Sequence, residues 1–222
     1  MNPIVLDLET SGLDKSKCGI WQIGAIDLNT KEEFMEEGRI DNEDSIEEDA
    51  LRVIGKTKEE LRDKTKQTQK ELINNFFEWV RTRKIRNLLC QNPQFDISFL
   101  ELKANKYGLR KTFQFRAFDL HTVSQIIFFN INKKFSLRKN YNAEKLESDM
   151  DLSNILSFCG IPDHRRITRN SEIIQEGTPH NALDDCKLAG ECFSRLVDKK
   201  NLFQEYSKHE IPNYLKGEEK WI

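Results

Sequence analysis

Apolar and polar positions alternate with two different periods along the chain. Ile4-Val5-Leu6-Asp7-Leu8-Glu9 predicts a strand in which Leu6 and Leu8 face the core while Asp7 and Glu9 share the opposite face. Gly19 to Leu28 is rich in branched and aromatic residues and predicts a second strand. Asn29-Thr30-Lys31 is a polar turn, and Glu32 to Gly38 returns as a third, antiparallel strand. Ser45 to Val53 and Thr57 to Asp63 read as short helices, with Ser45 and Thr57 as N-caps because each precedes a glutamate by three residues. Leu72, Ile73, Phe76, Phe77 and Val80 recur at helical spacing and predict an amphipathic helix over 69–83.

Asn87 to Gln91 is a short apolar run, the pattern of a buried parallel strand. After Asn92-Pro93-Gln94-Phe95-Asp96 a helix runs to Tyr107, with Phe95, Phe99 and Leu102 on its inner stripe. Phe115 to Leu120 predicts another strand, followed by a helix to Phe129, and residues 130–150 read as a polar loop. Leu152 to Cys159 is a helix ended by Gly160, with Pro162 just beyond. Residues 161–179 are polar and basic, and a last helix spans 181–197. No element is assigned to the tail. An initial meander followed by alternating strands and helices implies an α/β domain with a mixed sheet, in which ligands collect at the carboxyl ends of parallel strands.

Composition narrows the class. With 222 residues, 37% hydrophobic and 32% charged, the chain suits a soluble globular domain. No apolar run approaches the roughly 18 residues of a membrane helix, and no signal-peptide pattern opens the chain, so a cytoplasmic protein is expected. The five cysteines are scattered without a C-x-x-C pair and read as buried thiols rather than a zinc site. The net charge of −2 does not mark a nucleic-acid binder. Charge is nevertheless uneven: residues 32–49 are acidic, while basic residues gather at 81–86, at 133–139, and at Arg165, Arg166 and Arg169.

The chemistry lies in the acids. Asp7 and Glu9 side by side at the end of an apolar strand repel each other and lose hydration, a cost that a divalent cation with a preference for oxygen ligands would offset. A solvated strand edge gives the same pattern, so the other acids must decide. Asp96 follows a second strand. In the last helix the apolar stripe is Ala182, Cys186, Ala189, Phe193 and Leu196, which turns Asp185 inward and leaves Asp184, Lys187 and Glu191 facing water. His180 precedes that helix, either as a capping residue or, five residues before an inward acid, as a general base suited to neutral pH.

The ordered set Asp7-x-Glu9-Thr10-x-Gly12-Leu13, Asn92-x-x-Phe95-Asp96 and His180-x-x-x-x-Asp185 resembles the DEDDh 3′→5′ exonucleases, the family of ribonuclease T and the proofreading subunit of bacterial DNA polymerase III. Trp21 to Ala25, Ala50 to Thr57 and Phe118-Asp119-Leu120 extend the likeness over residues 4–197. The resemblance implies an RNase H-like fold, a mixed central sheet flanked by helices, with an exonuclease domain over 1–199 and a C-terminal tail over 200–222. It implies two divalent ions, Mg2+ or Mn2+, with Asp7 bridging both, Glu9 and Asp185 completing one site and Asp96 the other. His180 would deprotonate water, releasing nucleoside 5′-monophosphates from the 3′ end of single-stranded DNA or RNA. Thr10, Gly12, Leu13, Asn92 and Phe95 would contact the terminal nucleotide, although the i, i+4 spacing of Phe95 and Phe99 is also that of a buried helix face.

Two features depart from the family pattern. Ser11 replaces a common threonine. The stretch between Gly160 and His180 is longer than usual, and its three arginines are expected to contact substrate phosphates or cover the site. The alternative function is a catalytically weak nucleic-acid-binding module or a polymerase-associated interaction subunit, docking through the acidic segment or the tail.

Overall fold

A computed structural model describes residues 2–139, 145–169 and 172–217. Its elements are β1 (Ile4–Thr10), β2 (Ile20–Asp27), β3 (Glu33–Glu37), α1 (Glu48–Ile54), α2 (Lys58–Leu61), α3 (Gln69–Arg81), β4 (Leu88–Cys90), α4 (Pro93–Tyr107), β5 (Phe118–Asp119), α5 (Leu120–Asn132), β6 (Leu137–Lys139), β7 (Leu146–Ser148), α6 (Leu152–Phe158), β8 (Ile167–Arg169), β9 (Glu172–Gln175), α7 (Ala182–Val197) and α8 (Asn213–Lys216). They form two compact units, residues 1–118 with 164–186, and residues 119–163 with 187–222.

The first unit carries a mixed sheet ordered β3-β2-β1-β4-β5. β1 pairs antiparallel with β2 and parallel with β4, so the antiparallel meander and the buried parallel strand both form as predicted. β1 is central, and Ile4, Leu6 and Leu8 pack into a core with Phe76, Phe77 and Val80 of α3 and Phe99 and Leu100 of α4. Thr57 caps α2 in a reciprocal capping box with Glu60. Thr68 does the same for α3 with Glu71, a start signal of the same spacing that sequence reasoning passed over.

Ser45 is not an N-cap. α1 begins after Glu47, whose side chain makes no cap hydrogen bond, and the Ser45 N–H instead donates to the Lys17 carbonyl at 2.8 Å. The helix predicted to follow Asp96 starts earlier, at Pro93, where a missing N–H is harmless in the first turn. The acidic stretch is well partnered: Lys103 Nζ reaches buried Asp44 at 2.6 Å, Lys106 reaches Asp41 and Glu43, and Lys66 reaches Glu37. Gln69 joins Asp44 at 2.7 Å and accepts from the Ile20 N–H, tying α3 and α4 to the start of β2.

In the second unit, residues 140–144 lie outside the described residues, and the described part of residues 130–150 is not simply a loop. It contains the antiparallel pair β6–β7, closed by Gln125 and His121 of α5 on Ser136 and Ser148. Asp151 caps α6, and Gly160 ends it with φ 73°. The tail has structure as well: a 3-10 turn at Gln204–Tyr206, then α8 with Leu215 buried. Glu191, expected to face water, is fully buried, because residues 200–209 cover it. All five cysteines are buried free thiols. Among the described residues, no helix is long and apolar enough to cross a membrane.

Candidate active site

Three elements of the first unit deliver the acids. Asp7 and Glu9 project from β1 at its carboxyl end. Asp96 sits in the first turn of α4, buried, beside the Leu8 backbone that hydrogen-bonds its carboxylate. Asp185 sits in the first turn of α7, also buried, while Asp184 is exposed, so the helix phase read from sequence holds in this first turn, though not at Glu191.

What fixes α7 against the sheet is a pair of β2 residues. Gly24 lies opposite Asp7 in the β1–β2 register. A Cβ on Gly24 would come within 3.0 Å of the backbone of Ala182 and Leu183, so only glycine lets the helix start approach. Gln22 Oε1 accepts the otherwise orphaned Ala182 N–H at 2.8 Å, and Asn181 Oδ1 accepts from Leu183 and Asp184. Sequence reasoning missed this role for both β2 residues. The available signal was a glutamine and a glycine inside an otherwise apolar strand.

The electrostatics are those of crowded, desolvated acids. Burial is the largest cause in each case. It pushes Glu9 up to about 8, with Asp185 adding repulsion, and pushes Asp96 up to about 7 against the hydrogen bonds it accepts. Asp7 is held well above the usual carboxylate range by burial and then by Asp185, Asp96 and Glu9. Two cationic groups oppose this: His180 and then Arg165 lower Glu9, and Arg165, whose Nη1 donates to Asp185 Oδ2 at 2.9 Å, also lowers Asp7. His180 Nδ1 lies 3.4 Å from the same oxygen, and Nε2 lies 2.9 Å from the Arg166 carbonyl. Burial pulls His180 down, but the hydrogen bond and charge of Asp185 more than offset it, and the ring sits above its ordinary value.

These residues suit a hard divalent cation. Glu9, His180 and Asp185 each offer an atom within 4.8 Å of the others', and Asp7 and Asp96 face the same cluster. Asp185 Oδ1 is buried without a hydrogen-bond partner among the described residues. Four carboxylates with one guanidinium leave a deficit of positive charge that oxygen-liganded cations would fill.

Next to the cluster lies a cavity of about 410 Å3, lined by Leu8, Glu9, Thr10, Gly12, Leu13, Glu47, Asp49, Ala50, Val53, Ile54, Phe95 and Thr168. The turn after β1 is braced for this purpose. The Thr10 hydroxyl donates to the Gly12 carbonyl at 2.8 Å, and Glu47 accepts from the Leu13 N–H at 3.1 Å. Ser11 donates to the Ser45 carbonyl at 2.6 Å and accepts from the Gly19 N–H. Leu13 is 78% exposed on the wall of this cavity. Phe95 is partly buried against Phe99 yet reaches the cavity wall, whereas Phe99 is wholly core. Asn92 is exposed and does not line the cavity.

A protein-family model described as Exonuclease, of the RNase T type, matches residues 4–193. Among solved structures, the chain is similar to the nuclease domain of 3′hExo, a DEDDh family member bound to rAMP, with 15% identity, TM-score 0.60 and coverage of 91% of this chain and 94% of that one. It is similar to cell-death related nuclease 4 with 15% identity, TM-score 0.58 and coverage of 90% and 64%. It is also similar to E. coli exonuclease I in complex with a dT13 oligonucleotide, with 15% identity, TM-score 0.62 and coverage of 89% and 41%. The chain thus spans less than two thirds of the second and third of these proteins. No match was found among curated proteins.

Proposed function

The chain belongs to the exonuclease family of the RNase T type, and we propose that it is a DEDDh member that hydrolyses single-stranded DNA or RNA from the 3′ end to nucleoside 5′-monophosphates. The observation that carries this reading is the convergence of Asp7, Glu9, Asp96 and Asp185 from β1, α4 and α7 beside His180. Asp7, Glu9, Asp96 and Asp185 would hold two divalent ions, Mg2+ or Mn2+. When bound, such ions supply charge neutralisation and Lewis-acid polarisation at the scissile phosphate.

The remaining chemistry belongs to the chain's own groups. With the Arg166 carbonyl accepting from His180 Nε2–H, Nδ1 is the nitrogen that would exchange a proton, and it would act as a base once Asp185, its present hydrogen-bond partner, no longer holds that proton in place. From there Nδ1 can take the proton of an attacking water. The braced turn presents Thr10, Gly12 and Leu13 to the terminal nucleotide, and Phe95 offers an aromatic face across the cavity. A volume of about 410 Å3 is of the size that holds one small ligand.

The test uses 5′-labelled RNA and DNA strands of one sequence, with Mg2+, Mn2+ or chelator. A ladder shortening from the 3′ end, abolished by chelator and by Asp7→Ala, is expected. His180→Ala should slow it roughly 10²–10⁴-fold, the usual loss when a general base is removed. The relative rates on the two strands select the sugar. Intact strands under every condition would overturn the reading.

A further inference from the structure

The stretch between α6 and α7, read from sequence as a basic loop, is largely a hairpin, and it sends one arginine inward. β8 and β9 pair antiparallel, and an isolated bridge joins Arg165 to Thr178. The Thr178 N–H donates to the His164 carbonyl at 3.0 Å, the Arg166 N–H to the Thr178 carbonyl at 2.8 Å, and Gln175 Nε2 to the Arg165 carbonyl at 3.0 Å. Gly177 allows this closeness, since a Cβ there would strike the His164 and Arg165 backbone. The stretch is also fastened to α1: Arg166 Nη1 donates to the Arg52 carbonyl and the His180 N–H to the Val53 carbonyl.

Arg165 is therefore placed, not trailing. It is only 7% exposed, against the ordinary habit of arginine, and its guanidinium spends a hydrogen bond on Asp185 Oδ2. That oxygen belongs to one of the four carboxylates that suit a divalent cation. Asp185 Oδ1 is open, but an ion placed on it still meets the repulsion of the guanidinium across the same carboxylate, whose charge Arg165 already neutralises.

Building on the metal-dependent reading above, we propose that Arg165 is the resident counter-cation of Asp185 and competes with a divalent ion for that carboxylate. Before substrate arrives, the Asp185 arm is held by the protein's own charge, and the ion that needs Asp185 binds weakly. Loading it is favoured by withdrawal of the guanidinium, and a withdrawn Arg165 could then meet substrate phosphate. Arg165 is in this sense a positioning residue: it acts through Asp185.

The experiment is a calorimetric titration of the full chain with MnCl2, without nucleic acid, in wild type, Arg165→Gln and Arg165→Lys. Wild type is expected to take up one ion well and a second weakly. Arg165→Gln should bind the weak ion about tenfold tighter or more, a coupling of the ordinary size. Arg165→Lys, which keeps the charge, should stay with wild type. Equal isotherms in all three proteins would overturn the proposal and leave the metal reading intact, the result a pure phosphate-binding arginine would give. No Mn2+ uptake by any of them would overturn both. Hydrogen exchange on wild type needs no variant. On adding Mg2+, peptides covering 4–10 and 181–193 should exchange more slowly, while those covering 164–169 and 172–178 exchange faster. Slowing of the hairpin peptides together with the rest would also overturn the proposal.

Discussion

Glu9 at about 8 and Asp96 at about 7 are carboxyls that hold their protons well into neutral pH in the metal-free chain. Their folded values are raised, so the folded state binds more protons than the unfolded one between roughly pH 4.5 and 8. The stability they contribute is complete below the unfolded carboxylate value and is lost as pH rises through 7 and 8. Asp7 and His180 are raised too and act in the same direction. In chelator, the thermal midpoint should fall between pH 5.5 and 8.5, and saturating Mg2+ should restore most of the loss at the upper pH. A midpoint in chelator that rises over that interval would mean the acids find counter-charge elsewhere. Asp7→Asn removes one member of the crowd, so it should flatten the pH dependence while abolishing cleavage.

At the scale of elements, the sheet and the helices that carry acids were legible because their patterns are local. Two acids one residue apart after an apolar run could only share a face, and the phase of 181–197 separated Asp185 from Asp184. Ser45 failed because its partners lie far along the chain, on Ser11 and Lys17, and no local spacing reveals them. β8–β9 and the inward turn of Arg165 were illegible for a related reason: three arginines in a polar stretch match a solvated surface as well as a braced hairpin. The same holds for Gly24, whose meaning depends on α7 lying against it. Gly24→Ala should cost about 1–3 kcal/mol in urea unfolding, the usual penalty of overpacking. It should also slow cleavage disproportionately, because Asp185 and His180 ride on the displaced helix start. Gly217→Ala, with open space around the glycine, should change neither.

At the scale of the whole molecule, the chain has a second organising charge pair that takes no part in the site. In the second unit Arg195 and Glu191 are both fully buried, one helical turn apart, with Arg195 Nε on Glu191 Oε1 at 2.8 Å. Arg195 also donates to the carbonyls of Cys159, Tyr206 and His209, and Glu191 accepts from the N–H groups of Leu202 and Phe203. Residues 200–209 are thus held by α7 through ionic groups, and a stretch that reads as an unassigned tail becomes part of a packed unit. A helix periodicity that put Glu191 beside Asp184 could not foresee this, because the burial comes from chain beyond the helix. Breaking such a pair on one side leaves an uncompensated buried charge. Arg195→Met should therefore cost about 3–5 kcal/mol in chemical denaturation. The double change Arg195→Met with Glu191→Met should cost less than the single one, since it removes the stranded carboxylate. Limited proteolysis of the single variant should cut first within 200–217, where the backbone has lost its anchor. A single variant as stable as wild type would mean that packing of Ile211, Leu215 and the Tyr214–Phe158 stack holds the segment without the ions.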